Sequence, residues 1–297
     1  MTAAAPPGPR ALPLPGGREG ATVEVQPLLM AQTRAPTAFF DRPRNPIGLL
    51  PVLAGMTERV WIPIPAFLVR HPGAGPLLID AGMHPSVVAR PTDNLGPVTG
   101  RLAPIRMSLE QTALAQLRGL GVQREEVHTV VMTHLHYDHA SGLSELPEAT
   151  VVVDGRELRA ARSGGWRDGY VAGHIAGPYD WLTIDFDADE ATRHDAFSRT
   201  VDLFGDGSVR LLSTPGHSAG HLSLLLRLSA GELLLTGDAI YSRESLRDDL
   251  QPMFCADRTI YRASRGEIRA YAEGHPDTPI VPGHDPVAWA QLPERFD

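Results

Sequence analysis

The sequence predicts an α+β fold in which two β-sheets stack face to face with helices outside, and three observations predict it. Short apolar runs recur along the chain, at 61–69, 76–79, 127–132, 149–153, 208–212, 222–228, 232–235 and 279–281, and turn residues or histidines bound them. Stretches with a helical period are few and are interspersed between these runs. No repeat of fixed length is visible, and 297 residues with 42% apolar content can bury a sizeable core.

In chain order, residues 1–21 are rich in Pro, Gly and Ala without a hydrophobic period and read as a flexible tail. Residues 22–297 read as a single domain. Residues 23–30 open the first strand, and Pro27 makes it an edge or broken one. Residues 31–58, with prolines at 36, 43, 46 and 51, read as an irregular binding loop. Strands at 61–69 and 76–79 are joined by the turn His71-Pro72-Gly73-Ala74-Gly75. The clearest helix is 108–120: Ser108 and Gln111 form a capping box, Leu109, Ala113 and Leu117 share a face, and Gly121 closes the end. A helix at 156–162 follows the strand at 149–153. Residues 163–199 are aromatic, Gly-containing and acidic, with no steady period. A helix at 258–272 precedes the last strand.

Net charge is −8, which gives no basic excess to attract nucleic acid or an anionic membrane. The single cysteine, Cys255, rules out an intrachain disulfide framework and reads as a small, buried or half-buried side chain. The start of the chain lacks a basic segment followed by an apolar core, and residues 60–69 are far too short to span a bilayer. The expected compartment is the cytoplasm, and the sequence is compatible with a homodimer.

The chemistry concentrates in His134-Leu135-His136-Tyr137-Asp138-His139, directly after an apolar strand. Three imidazoles and a carboxylate in one loop make a nitrogen and oxygen donor set without thiolate, which suits zinc or a similar divalent metal. Three later segments place donors at strand ends beside Gly or Pro: Thr214-Pro215-Gly216-His217-Ser218-Ala219-Gly220-His221, Thr236-Gly237-Asp238-Ala239 and Pro282-Gly283-His284-Asp285. Loops at one edge of a sandwich can meet and assemble a site from distant sequence. His71, His84, His128, His174, His194 and His275 have no tie to this set and read as surface or core residues. His174 stands closest to a role, among Trp166, Tyr170, Tyr179 and Trp181.

In this ordered set the chain resembles the metallo-β-lactamase superfamily: an early Asp after a strand, then HxHxDH, a His, an Asp and a final His. The resemblance implies a four-layer αββα sandwich of two mixed sheets. It implies that His134, His136 and His217 bind a first metal and that Asp138, His139 and His284 bind a second, with Asp238 bridging. It also implies that Asp80 supports the ligand loop without touching metal and that His221 stands behind the site. The cofactors implied are two divalent ions, zinc by preference, with cobalt, manganese or iron as substitutes. Because no cysteine stands at a ligand position, direct action on β-lactams is disfavoured.

Two metals about 3.5–4 Å apart can share one hydroxide, a nucleophile at neutral pH that attacks a carbonyl leaning on a metal. Asp138 or Asp238 could relay the proton to the leaving group. Tyr241, three residues after Asp238, is similar to a tyrosine of the N-acyl-homoserine lactonases that reaches the substrate carbonyl. The alternative for Tyr241 is packing. The expected partner is therefore a small-molecule lactone, and the expected role is quenching of a bacterial acyl-homoserine lactone signal. Met30, Phe39, Phe40, Leu49, Leu50 and Trp166 are candidate apolar walls. Another lactone, an ester or a glutathione thioester is the alternative substrate, with Arg243, Arg247 and Arg258 as candidate glutathione anchors. A non-hydrolytic protein of this fold, either a di-iron redox module or a metal-binding regulator, is a third reading, the former weakened because its members place Glu where His136 stands. RNA processing by this fold lacks the extra binding arm and the basic charge it needs.

Overall fold

The first sheet is built on a long antiparallel pair, β1 (Glu24–Pro36) and β2 (Arg59–His71), whose register runs from Glu24 beside Arg70 to Pro36 beside Arg59. This computed structural model describes residues 11–45, 47, 50–51, 55–188, 191–247 and 249–297. The prolines fall where no ladder bond is lost. Pro27 lies on the side of β1 that β4 (Ile105–Arg106) reaches only at Gln32 and Thr33. Pro63 and Pro65 lie beyond the end of β3 (Gly75–Ile79), which pairs with β2 only from Phe67 to His71.

Parallel strands β5 (Thr129–Val131), β6 (Thr150–Asp154) and β7 (Asp180–Ile184) extend this sheet in the order β4-β1-β2-β3-β5-β6-β7. The second sheet comprises β8 (Thr192–His194), β9 (Phe197–Asp202), β10 (Val209–Ser213), β11 (Leu222–Leu228), β12 (Gly231–Gly237) and β13 (Ile280–Pro282), in the order β13-β12-β11-β10-β9-β8. Only β12 and β13 pair in parallel there, so both sheets are mixed.

Alternation along each strand sorts the side chains into layers. Val69, Leu77, Ile79, Val131 and Val152 of the first sheet meet Leu211, Leu224, Leu226, Leu233 and Leu235 of the second. On the far face of the first sheet, Leu68, Leu78, Val130 and Val151 pack under α1 (Pro91–Leu102), α2 (Ala113–Gly119) and α4 (Gly155–Ser163) through Leu95, Leu117 and Leu158. The short α3 (Tyr137–Ala140) lies between α2 and α4 in the chain. On the far face of the second sheet, Leu212, Leu225 and Leu234 meet Ile268 and Tyr271 of α5 (Arg258–Gly274). Asp257 caps α5 by accepting from the N–H groups of Thr259 and Ile260, and its buried side chains recur at helical spacing from Tyr261 to Tyr271. The four layers are the αββα sandwich expected.

Four local expectations need correction. The first strand continues through Pro36, because residues 31–36 keep alternating buried and more exposed positions. The helix expected at 108–120 keeps its capping box but breaks at Thr112 (ψ 154°), leaving a 3-10 turn, Leu109–Gln111, before α2. Segment 163–199 contains β7, β8 and the start of β9. Residues 11–21 are packed, not loose: Leu14 is buried, its N–H donates to the Leu203 carbonyl, and the Arg18 N–H donates to Asp206. Residues 1–10 of the proposed tail lie outside the described residues. Among the described residues no helix is long and apolar enough to cross a membrane.

Candidate metal centre

The donors sit where strands end. β5 runs into the loop of His134 and His136, and α3 then presents Asp138 and His139. β10 leads to His217, β12 to Asp238 and β13 to His284. These seven residues meet in three overlapping groups: His134, His136 and His217; His134, His139 and Asp238; Asp138, His139 and His284. Within each group the candidate ligand atoms lie within 4.8 Å of one another.

In the first group, His217 Nε2 lies 3.1 Å from His134 Nε2 and 2.9 Å from His136 Nδ1. Nitrogens bound to one tetrahedral zinc at 2.0–2.1 Å stand about 3.3 Å apart. Asp238 occupies the middle. Its Oδ2 lies 3.4 Å from His217 Nε2 and 3.1 Å from His284 Nε2, and its Oδ1 lies 3.5 Å from His139 Nε2. Asp138 Oδ2 stands 3.7 Å from His284 Nε2 and 3.9 Å from His139 Nε2.

The outward nitrogens explain why the inward ones are free. His139 Nδ1 donates to Asp80 Oδ2 at 2.7 Å, and His284 Nδ1 donates to the Pro63 carbonyl at 2.8 Å. His134 Nδ1 bonds Thr133 Oγ1, which itself donates to Asp80. His217 Nδ1 lies 3.0 Å from the Tyr241 hydroxyl. The Asp80, Pro63 and Thr133 contacts favour a proton on the outward nitrogen of His139, His284 and His134, so that the neutral ring each would present to a cation turns its other nitrogen's lone pair inward. Asp80, in left-handed backbone (φ 59°), also accepts from the Thr133 N–H, so one carboxylate braces both ends of the histidine loop. His221 accepts the Asp238 N–H on Nε2 and pairs with Thr214 through Nδ1, which leaves it no inward nitrogen. Gly169 (φ 86°) packs on the His136 ring so closely that a Cβ there would lie 2.7 Å from it.

Charge divides the cluster. Burial, reinforced by neighbouring imidazoles, holds His134 well below its ordinary value, and burial outweighs nearby carboxylates in lowering His136 and His217. Burial also opposes the cation of His139, yet Asp80, Asp138 and Asp238 outweigh it and lift the ring to about 10. His284 is raised likewise, by Asp238 and then Asp138 against burial. Burial disfavours the Asp238 carboxylate, but His284, His217 and His139 hold it well below the usual range. The centre attracts positive charge, and divalent cations supply it while leaving the imidazoles neutral. His139 Nε2 and Asp238 Oδ1 are buried without a hydrogen-bond partner and face each other at 3.5 Å, an arrangement that two ligands of one cation would fit. The residues therefore fit a pair of divalent ions.

A cavity of about 850 Å³ opens on the cluster, lined by His136, Asp138, His217, Asp238 and Tyr241 among others. Tyr241 is buried and stacks on Phe39, with ring centroids 4.4 Å apart. Phe39 and Trp166 line the cavity as expected, with Met253, Phe254 and Cys255 besides. Met30 is instead buried in the outer core, Leu50 is exposed and outside the lining, Phe40 is absent from the lining, and Leu49 lies outside the described residues. His174 bonds Asn94 and does not line the cavity, nor do Arg243, Arg247 and Arg258. Sequence reasoning missed Thr133, Tyr170 and Glu157. Thr133 directly precedes the motif, but nothing local marks Glu157, whose partners are distant in the chain.

A model of the metallo-beta-lactamase superfamily matches residues 59–284. The N-acyl homoserine lactonase AttM of Rhizobium radiobacter is 35% identical over 232 residues, 78% of this chain and 85% of that protein. An N-acyl homoserine lactonase of Bacillus cereus is 31% identical over 180 residues, 59% of this chain and 64% of that protein. Among solved structures, an N-acyl homoserine lactone hydrolase with N-hexanoyl-L-homoserine bound at its catalytic metal centre shares the fold. Its TM-score is 0.75 at 22% identity, over 92% of this chain and 97% of that one. Sequence match and architecture agree, and the chain belongs to the metallo-beta-lactamase superfamily.

Proposed function

We propose that this chain is a metal-dependent hydrolase that opens the ring of N-acyl homoserine lactones, the acylated signals bacteria exchange. The observation that carries the reading is the cavity, whose lining includes Tyr241 and four of the candidate ligands together with the apolar Phe39, Trp166, Met253 and Phe254. The 35% identity to AttM supports the choice of lactone.

His134, His136 and His217 would hold one cation and Asp138, His139 and His284 the other, with Asp238 between them. Once bound, such a pair, zinc by preference on this donor set, supplies a water acidic enough to attack at neutral pH and a Lewis acid for the carbonyl. The remaining work falls to the chain. With His217 Nδ1 donating to the Tyr241 oxygen, the phenol proton is free to point into the cavity. Burial raises Tyr241 well above its ordinary value, ahead of the nearby Asp238 charge, so it stays a donor. It stabilises the carbonyl oxygen as negative charge grows there. Asp138 or Asp238 would take up the proton that the attacking water gives up and pass it to the ring oxygen as its bond to the acyl carbon breaks, and the product leaves as a hydroxy acid. Phe39, Trp166, Met253 and Phe254 flank the acyl chain. With a single cysteine the fold does not depend on an oxidising compartment, and we place the activity in the cytoplasm.

The test is a hydrolysis panel on metal-analysed protein: homoserine lactones of short to long acyl chain, unrelated lactones and esters, and a glutathione thioester, read by acid release. Acid from the acyl-homoserine lactones is expected. Cleavage of the thioester alone would replace this reading, although Arg243, Arg247 and Arg258 do not line the cavity.

A further inference from the structure

We infer that Glu157 is a positioning residue for the first metal group, joining the His134–His136 loop, the His217 loop and the cavity-lining segment 166–170 through one buried carboxylate. The inference rests on the reading that this group binds a cation.

Glu157 lies in the first turn of α4 and is 0% exposed. Its Oε1 accepts the Leu135 N–H at 3.0 Å and the Tyr170 hydroxyl at 3.0 Å. Its Oε2 accepts the Gly220 N–H at 2.9 Å. Leu135 separates two candidate ligands, and Gly220 follows His217 by three residues. The Tyr170 ring stands 5.0 Å from the His136 ring, and the Gly169 carbonyl accepts the Tyr137 N–H. The contact with the His217 loop needs glycine: a Cβ on Gly220 would lie 2.4 Å from the Glu157 nitrogen. Two ligand loops and a substrate wall therefore share one anchor.

A buried carboxylate is costly unless its charge is compensated. Among the described residues no arginine or histidine forms an ion pair with Glu157. Three hydrogen bonds compensate part of the charge, and a cation held by the adjacent His136 and His217 compensates more. Glutamine cannot replace the group: its amide nitrogen would face one of the donors, and only one acceptor oxygen would remain. Aspartate is one methylene too short to reach both loops. A partner that orients metal ligands in this way changes metal affinity by roughly 10–100-fold when removed.

The experiment titrates metal-free full-length chain with cobalt(II), following visible absorbance, for the native protein, Glu157→Gln, Tyr170→Phe and His136→Ala. His136→Ala identifies the binding step that belongs to the first group. Glu157→Gln is expected to weaken that step by roughly 10–100-fold and leave the other unchanged, with native circular dichroism. Tyr170→Phe, which keeps the carboxylate and removes one donor, is expected to weaken the same step by a smaller factor. Equal weakening of both steps, or no change in either, overturns the inference. If Glu157→Gln does not fold, Tyr170→Phe decides alone by the same criterion. No lactone is used, so a chain that binds two ions but opens no lactone defeats the proposed function and leaves this inference standing.

Discussion

Two of the buried histidine–aspartate pairs in this molecule differ in one atom. His71 and Asp206 stand 3.0 Å apart, and His139 and Asp80 stand 2.7 Å apart. In the first pair the remaining ring nitrogen, His71 Nδ1, accepts the N–H groups of Gly73 and Ala74. In the second, His139 Nε2 has no partner. A pair whose hydrogen bonds are all made is a clip: it fastens the β2–β3 turn to residue 206, which also accepts from Arg18. A pair with one nitrogen turned into an acidic hollow has the form of a metal ligand and its brace. Burial and an acidic neighbour do not separate the two roles; the unmet valence does.

Removing an inward nitrogen should cost most. His136→Ala is expected to lose one ion per chain and about 10³-fold in kcat/KM, the equivalent of roughly 4 kcal/mol. His71→Ala should keep both ions, and metal analysis of the two side by side would break the comparison if their metal contents matched. Tyr241→Phe should retain both ions and lose roughly 10²-fold in kcat; unaltered turnover would make the phenol packing for Phe39. Asp80→Asn, which tolerates the same left-handed backbone, should weaken the ion at His139 by roughly 10–100-fold in a chelator competition.

Asp206→Asn should leave metal and kcat alone and lower stability by about 1–3 kcal/mol in urea. Hydrogen bonds from Ser208, Arg18 and His71 outweigh burial and hold the Asp206 carboxyl down to about 2. Its contribution is present above the unfolded value of about 3.9 and is lost as pH falls through about 2. The native protein should therefore lose this increment in acid, and the Asn variant should not.

The candidate ligands were legible because four of them share one short motif directly after a strand, and the other three, His217, Asp238 and His284, each follow a glycine near a strand end. The long strands were legible from apolar alternation, and α5 from its period. The end of β1 was hidden by the prolines that follow it, and β7 to β9 by the Asp, Trp and Tyr content of 163–199. Leu14 looked like tail because its partner, Leu203, is remote in the chain. Glu157 was invisible for the same reason: an acidic residue in a polar helix looks solvent-facing until the fold brings Leu135 and Gly220 to it.

His284 follows a strand of the second sheet, yet its ring rests on the Pro63 carbonyl of the first. The ions would thus act as a rivet through both layers, since the opposing donors of their hollow, Asp138 and His139, come from the first sheet's side. Stripping them should loosen the seam itself, so that amides of β2 and β13 exchange faster together while the clip at His71 holds the opposite corner shut.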